Sequence, residues 1–317
     1  MPSFSEETNS RSRHIEHLGQ IWIFLGKLFR IFFNEGNWKV FPMAVIVSVI
    51  VSCVIDNVFV NMEGTQVGAL AFACVCIWNG FFNSIQSVCK ERPIIKREHR
   101  AGMHITSYIA AQMIYQAVLC LGQTIIQLVV YSLLLAPRFP FPTTGPVTGS
   151  FLVDFGITLF IITYAADMMA LMVSCIVKTT TAAMTVVPFL LIVQLIFSGV
   201  AFTLRGAIDT VSKFTISRWG IRTICTVGNF NSLPSITLHA AVNKLTTVPE
   251  IRLVYKYIRE TEIWDIIGEA STKNMMNPEY TFTAANVYKE WGILIAMGAF
   301  FAIVGILFLE QIDKDGR

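Results

Sequence analysis

Asp167 is the residue of this chain best suited by type to move a proton, a single carboxylate well inside a long apolar run. A charged side chain at the centre of a membrane helix costs about 2.5 to 3.5 kcal/mol on insertion scales, so it must face protein or a wet cavity. Two uses are open. Asp167 is either a polar partner within a helix bundle or a group acting on substrate or ion, and the second use admits an intramembrane lipid-modifying enzyme with Asp167 as its acid or base. Chemistry that needs several residues at fixed spacing finds no support. No G-x-x-x-x-G-K-[ST] run exists whose backbone amides could cradle nucleotide phosphates. Neither H-E-x-x-H nor G-x-S-x-G occurs, and His14, His17, His99, His104 and His239 are not spaced for a metalloprotease. The seven cysteines have no zinc spacing. Cys53, Cys74, Cys76, Cys89, Cys120 and Cys175 read as buried spectator thiols. Cys225 stands alone in the segment placed outside, where a disulfide would need a second chain. No catalytic residue, bound cofactor or metal is therefore expected on this chain.

Amides form the next pattern. Asn79, Asn83 and Gln86 share one face of a helical run, and Gln112, Gln116, Gln123 and Gln127 follow a heptad-like stripe in another. Polar side chains on one face of a spanning helix point at protein or water rather than lipid. They either bond helix to helix or line a translocation path.

Charge is concentrated in one place. Between Cys89 and Tyr108 stand Lys90, Arg92, Lys96, Arg97 and Arg100, with Glu91 and Glu98 among them, and long apolar runs flank the stretch on both sides. This is a short basic elbow held at a membrane surface between two spanning helices. Pro93 is expected to break the helix arriving from the preceding run, and Gly102 allows the chain to turn before the next. The elbow lacks aromatic stacking residues and abuts membrane, so nucleic acid is not an expected partner.

The elements that must position these groups are membrane helices. Of 317 residues 54% are hydrophobic and 14% charged, with mean hydropathy +0.60, which is far from soluble-domain usage. A span takes about 20 mostly apolar residues. Six runs qualify, at about 40–60, 66–88, 106–135, 151–177, 180–204 and 288–309, with the elbow at 89–105. Residues 1–12 read as a disordered polar tail, and because it precedes the first apolar residues no cleavable signal peptide is expected. Residues 13–35 space Ile15, Leu18, Ile21, Trp22, Leu25, Leu28, Phe29 and Phe32 as one helical face, which suits an amphipathic interfacial helix, with a plain first span as the alternative. The segment 205–287 is an external one of mixed charge, and Ile251 to Ala270 reads as an amphipathic helix within it. Lys and Arg crowd the pieces assigned to the inside, including Arg11, Arg13, Lys178, Lys314 and Arg317, whereas the two short outer loops hold Arg138 alone. Both termini are thus expected in the cytoplasm.

Several runs are similar to one family. Trp78-Asn79-Gly80-Phe81-Phe82-Asn83-Ser84-Ile85, then Lys90-Glu91-Arg92-Pro93 and Arg97-Glu98-His99-Arg100-Ala101-Gly102, resemble the coupling-helix region of ABC-2 type permeases. More narrowly they resemble the G-subfamily, the white and pleiotropic-drug-resistance exporters and their bacterial relatives. Phe214-Thr215-Ile216-Ser217-Arg218-Trp219-Gly220 resembles the S-x-R-[WF]-G feature after the fifth span of bacterial members, and Phe197-Ser198-Gly199 their outer gate.

The resemblance implies an all-α membrane protein with an N-terminal connecting helix, a cytoplasmic coupling helix, six spans and a helical external segment before the last. It implies the transmembrane subunit of an exporter in the plasma membrane, working as a homodimer or heterodimer, with ATP and Mg bound by a separate cytoplasmic ATPase. Arg92, Lys96, Arg97, Glu98, His99 and Arg100 would couple to that ATPase, with Glu98 linking the elbow to neighbouring parts and Arg97 and Arg100 meeting the ATPase or lipid headgroups. Asn79, Asn83, Gln112, Gln116, Asp167, Phe197, Ser198 and Gly199 would form a path or gate. Ser217, Arg218, Trp219 and Gly220 would belong to a re-entrant segment. A receptor or scaffold that reuses the exporter fold is a further alternative. The cargo cannot be read from a lining of apolar residues and a few amides.

Overall fold

A computed structural model of the chain describes residues 17–202, 204–236 and 263–311. The expected polar tail, Arg11, Arg13, His14, Ile15, His239, residues 251–262, Lys314 and Arg317 lie outside the described residues. Among the described residues every regular element is helical.

The chain opens with α1 (His17–Asn34), whose Leu25, Leu28 and Phe32 pack on Ala111, Tyr115 and Leu119 of α5 (Ile105–Leu134) while Trp22 and Phe33 stay exposed. A helix with one stripe on protein and bulky aromatics left over is the composition expected at a membrane interface. Then comes α2 (Val40–Val54), which accommodates Pro42 in its first turn. Its last turn is closed from outside, where Arg138 donates to the carbonyl of Ser52 at 2.9 Å. Asn61 caps α3 (Met62–Ser84) by accepting the amide of Gly64 at 2.7 Å. The elbow helix α4 (Ser87–Arg100) precedes α5, and α6 (Phe151–Ile176), α7 (Thr180–Ile196), α8 (Ala207–Ser212), α9 (Ile216–Val227), α10 (Ile263–Met275) and α11 (Ala284–Leu309) follow.

Among the described residues four helices are long and apolar enough to cross a membrane, α3 with its continuation into α4, α5, α6 and α11. The other two expected spans are shorter apolar helices, α2 with 15 residues and α7 with 17. The chain is a multi-pass membrane protein. At its centre lies α6, on which α3 and α11 pack most extensively, with α5 and α9 completing the enclosure. The close approach of α3 to α6 depends on Gly80, where a Cβ would collide with the carbonyl oxygen of Thr163. Towards the end of the bundle away from the elbow, Phe59, Phe72, Tyr131, Phe151 and Phe155 form an aromatic knot, with Phe72 and Tyr131 ring centres 4.7 Å apart.

Several boundaries differ from the sequence expectation, among them the end of the first span, at Val54 rather than near Val60, and the start of the last, at Ala284 rather than near Tyr288. Pro93 does not interrupt the elbow, since α4 runs through it and the break comes earlier, at Ile85 and Gln86. A proline inside a helix costs about 3 kcal/mol. Here tertiary bonds from α4 to α6, described below, hold the helix together around it. The second span therefore ends at Ser84 rather than near Val88. The fifth ends at Ile196 rather than near Leu204, because the chain turns at Phe197 to Gly199. In the outer segment the described helix runs from Ile263 to Met275, past the expected end at Ala270.

Candidate functional site

The elbow is fastened to α6 in both directions. The first-turn amides of Val88 and Cys89 on α4 both donate to Ser174 Oγ on α6 at 3.1 Å. Arg92 returns the favour, with Nη1 donating to the carbonyls of Cys175 and Val177 at 2.9 and 3.0 Å. Each helix thus satisfies orphan end groups of the other, amides at the start of α4 and carbonyls at the end of α6, where a cation also suits the helix dipole. Ile95, fully buried, packs in the same corner with Val88, Tyr108, Leu171 and Leu309.

A second set of bonds joins the elbow to α1. Lys27 lies 3.6 Å from both Glu91 and Glu98, and Lys90 lies 3.0 Å from Glu35. The α1 end also meets the start of α5, where His104 N donates to Gln20 Oε1 at 3.0 Å and the rings of His17 and His104 are 3.8 Å apart. Of the expected coupling residues, Arg92 is thereby committed to α6 and Glu98 to α1. His99 Nδ1 sits 3.0 Å from the Met103 carbonyl in the turn that closes the elbow. Arg97 and Arg100 are exposed and Lys96 is half-buried. Pro93, Ile94, Arg97 and Arg100 make one exposed face of α4, opposite the anchored one.

The amide row points into the bundle. Gln112, Gln116, Gln123 and Gln127 are all buried. Asn83 and Gln123 exchange two hydrogen bonds, at 2.9 and 3.0 Å. Gln116 Nε2 reaches the Asn83 carbonyl at 3.5 Å, Cys76 Sγ reaches Gln127 Oε1 at 3.7 Å, and Gln112 donates to the Tyr108 hydroxyl at 3.0 Å. Tyr108 in turn donates to Glu91 at 3.3 Å, which ties the row to the elbow. Asn79 is buried, with no hydrogen-bond partner for Nδ2 among the described residues. Asp167 is fully buried and accepts from Cys120 Sγ at 3.2 Å, next to Asn83, whose Nδ2 lies 3.7 Å from the same sulfur. The structure therefore brings Asn83, Gln123, Cys120 and Asp167 into one polar chain between α3, α5 and α6.

At the opposite end, Ser217 opens α9 by binding the side chain and carbonyl of Gln194 on α7, at 2.9 and 2.5 Å. Gly220 lies against Ile162 of α6. Trp219 donates from its indole to the Lys213 carbonyl at 2.7 Å, and Arg218 pairs with Asp209 at 2.8 Å. Ser198 is buried at the end of α7, Phe197 is half-buried, and Gly199 adopts φ +80°, a conformation that suits glycine. A polar cavity of about 250 Å³ opens between Ser198, Gly199, Arg218, Arg222 and Glu279. Burial, with Cys225 and Glu279 adding to it, pushes the Tyr280 hydroxyl in its wall above the usual phenol range and keeps it protonated.

Sequence reasoning missed the strongest pair at this end. Arg222 Nε lies 2.7 Å from Glu290 Oε1, whose side chain is fully buried in α11, and Arg222 Nη1 lies 3.2 Å from Glu279. The signal was there, a carboxylate near the start of the last apolar run and an arginine two residues beyond the Ser-Arg-Trp-Gly feature. Ser174, Lys27 and Glu35 were missed as well. Nothing local marks a serine near a helix end as the cap of another helix.

The family description "ABC-2 type transporter" matches residues 19–223. The chain is also similar to the ABC transporter ATP-binding/permease protein Rv1747 of Mycobacterium tuberculosis, with 28% identity over 151 residues, which is 45% of this chain and 16% of that protein. The chain therefore spans only a small part of the length of that relative.

Proposed function

The chain belongs to the ABC-2 type transporter family, and from that premise we propose that it is an exporter permease whose elbow helix α4 receives the stroke of a separate ATPase. Its role is transport across a membrane, and permeases of this family normally work with an ABC ATPase. The proposed arrangement is a dimer of permease chains in the plasma membrane with both termini in the cytoplasm, two cassettes closing beneath it on ATP and Mg. The cargo would be hydrophobic or amphipathic.

The observation that carries this reading is the double fastening of α4. One face bears Arg97 and Arg100 outward, and the other is tied to the end of α6 through Ser174 and Arg92 and to α1 through Lys27 and Lys90. Because α6 is the helix around which α3, α5, α9 and α11 pack, a push on the exposed face moves the centre of the bundle rather than a loop. Two arrangements of such a bundle, biased by nucleotide on the partner, are what alternating access needs.

The test replaces Arg97 and Glu98 by alanine in the reconstituted complex. ATP-dependent export should be lost while membrane insertion is normal. Normal export by this variant would remove the elbow from the mechanism. Cysteines placed at Lys96 or His99 should react with impermeant reagents only from the cytoplasmic side, and labelling of intact cells would invert the topology and end this reading.

A further inference from the structure

A cavity of about 390 Å³ lies where α1, the end of α3, α4 and α5 meet, well within the size range of small-molecule sites. Leu28, Ile31, Phe82, Tyr115 and Leu119 supply an apolar wall. Gln112 and Gln116 also line it, each only 1% exposed, and the Oε1 oxygen of each has no hydrogen-bond partner among the described residues. Their orientation follows from their partners. The Tyr108 hydroxyl gives its proton to Glu91 and so accepts from Gln112 Nε2, and the Asn83 carbonyl can only accept from Gln116 Nε2. Both amide oxygens are thereby left for something else, one helical turn apart. Leaving a buried acceptor unsatisfied is costly, and two such acceptors belong to side chains on one wall of this cavity.

Charge on the rim narrows the guest. Lys90 and Glu35 pair at 3.0 Å, and Lys27 stands 3.6 Å from Glu91, so the cations and carboxylates of the lining are matched with one another. An anionic head would compete for ammoniums already matched, and a cationic head for carboxylates already matched. The capacity left over is acceptor oxygen next to apolar wall. We propose that this cavity binds an uncharged amphipath whose head carries at least two hydroxyl donors for Gln112 and Gln116 and whose apolar tail lies against Phe82, Tyr115 and Leu119. Calling the guest cargo rests on the permease reading. Binding as such does not, and it is measured without any ATPase.

The experiment uses the full chain in lipid nanodiscs and a diazirine-bearing monoacylglycerol as probe. Saturable photolabelling is expected, competed by unlabelled monoacylglycerol, with crosslinks on α1, α4 or α5. Gln112→Leu and Gln116→Leu should each raise the half-saturating concentration about tenfold, as loss of one buried hydrogen bond implies. Ile94→Trp narrows the cavity from a partly exposed position, and the same weakening is expected there if either leucine variant fails to fold. Absence of saturable labelling, equal binding by wild type and all folded variants, or tighter binding of the acyl phosphate or acyl ammonium analogue would each overturn the proposal. Failure of export with intact labelling would instead count against the permease reading alone.

Discussion

Arg92 sits 2.9 Å from the carbonyl oxygen of Cys175, a cation on one helix closing the last turn of another 83 residues away in sequence. This contact makes the elbow and the central helix one mechanical piece. A lysine has one compact ammonium where Arg92 has a planar fork that spans two carbonyls, so Arg92→Lys is not a neutral exchange here. It should lower thermal stability by about 1 to 3 kcal/mol and reduce transport more than ATP hydrolysis by the assembled complex. Equal loss of both activities would mean that the contact only supports folding.

Ser174→Ala frees the amides of Val88 and Cys89 and should cost about 0.5 to 2 kcal/mol, the range for a lost helix cap. Combined with Arg92→Lys the two losses should not add, because both act on the same α4–α6 junction. A double-mutant cycle by thermal unfolding in detergent reads the difference.

Lys27 and Glu98 are each about one-third exposed on their side chains and 3.6 Å apart. Such a pair is worth at most about 1 kcal/mol. Lys27→Ala should therefore leave folding nearly unchanged, and on the proposed reading its effect should appear in coupling, as ATP hydrolysis that no longer drives transport in step.

Arg222→Leu removes the partner of a carboxylate that is fully buried in α11. Stranding Glu290 should cost about 3 to 5 kcal/mol, whereas the double variant Arg222→Leu with Glu290→Leu should recover most of it. Chemical denaturation of the purified chain gives both values, and a double variant no better than the single one would contradict the assignment.

Gln123→Leu breaks the reciprocal amide pair with Asn83 and should lower stability by about 1 to 2 kcal/mol. Substrate selectivity per folded molecule should stay the same. A changed selectivity would place the row on the translocation path.

Periodicity and charge made the helices of this chain legible before any coordinates. The limits of α5 and α6 lie within a residue of the expected ones, because apolar runs of that length bounded by charge admit few alternatives. The elbow's course past Pro93 could not be read, since local propensity predicts a break and bonds from α6 override it. Asp167, Asn83 and the glutamines could be singled out by type, but not the order in which they link. That order depends on which faces of α3, α5 and α6 meet at Gly80, a property of packing rather than of any one helix. Arg222 and Glu290 were hidden for the same reason, being far apart in sequence and joined only when α9 lies across α11.

With 15 residues, α2 measures about 22 Å, some 8 Å less than a typical hydrocarbon core of about 30 Å. Ile55, Val58 and Phe59 beyond its end are buried in protein and so do not make up the deficit toward lipid. Acyl chains beside α2 must shorten or splay to meet it, a hydrophobic mismatch built into one side of the molecule. Thin bilayers should therefore be its natural solvent, and thick, ordered ones should squeeze it out.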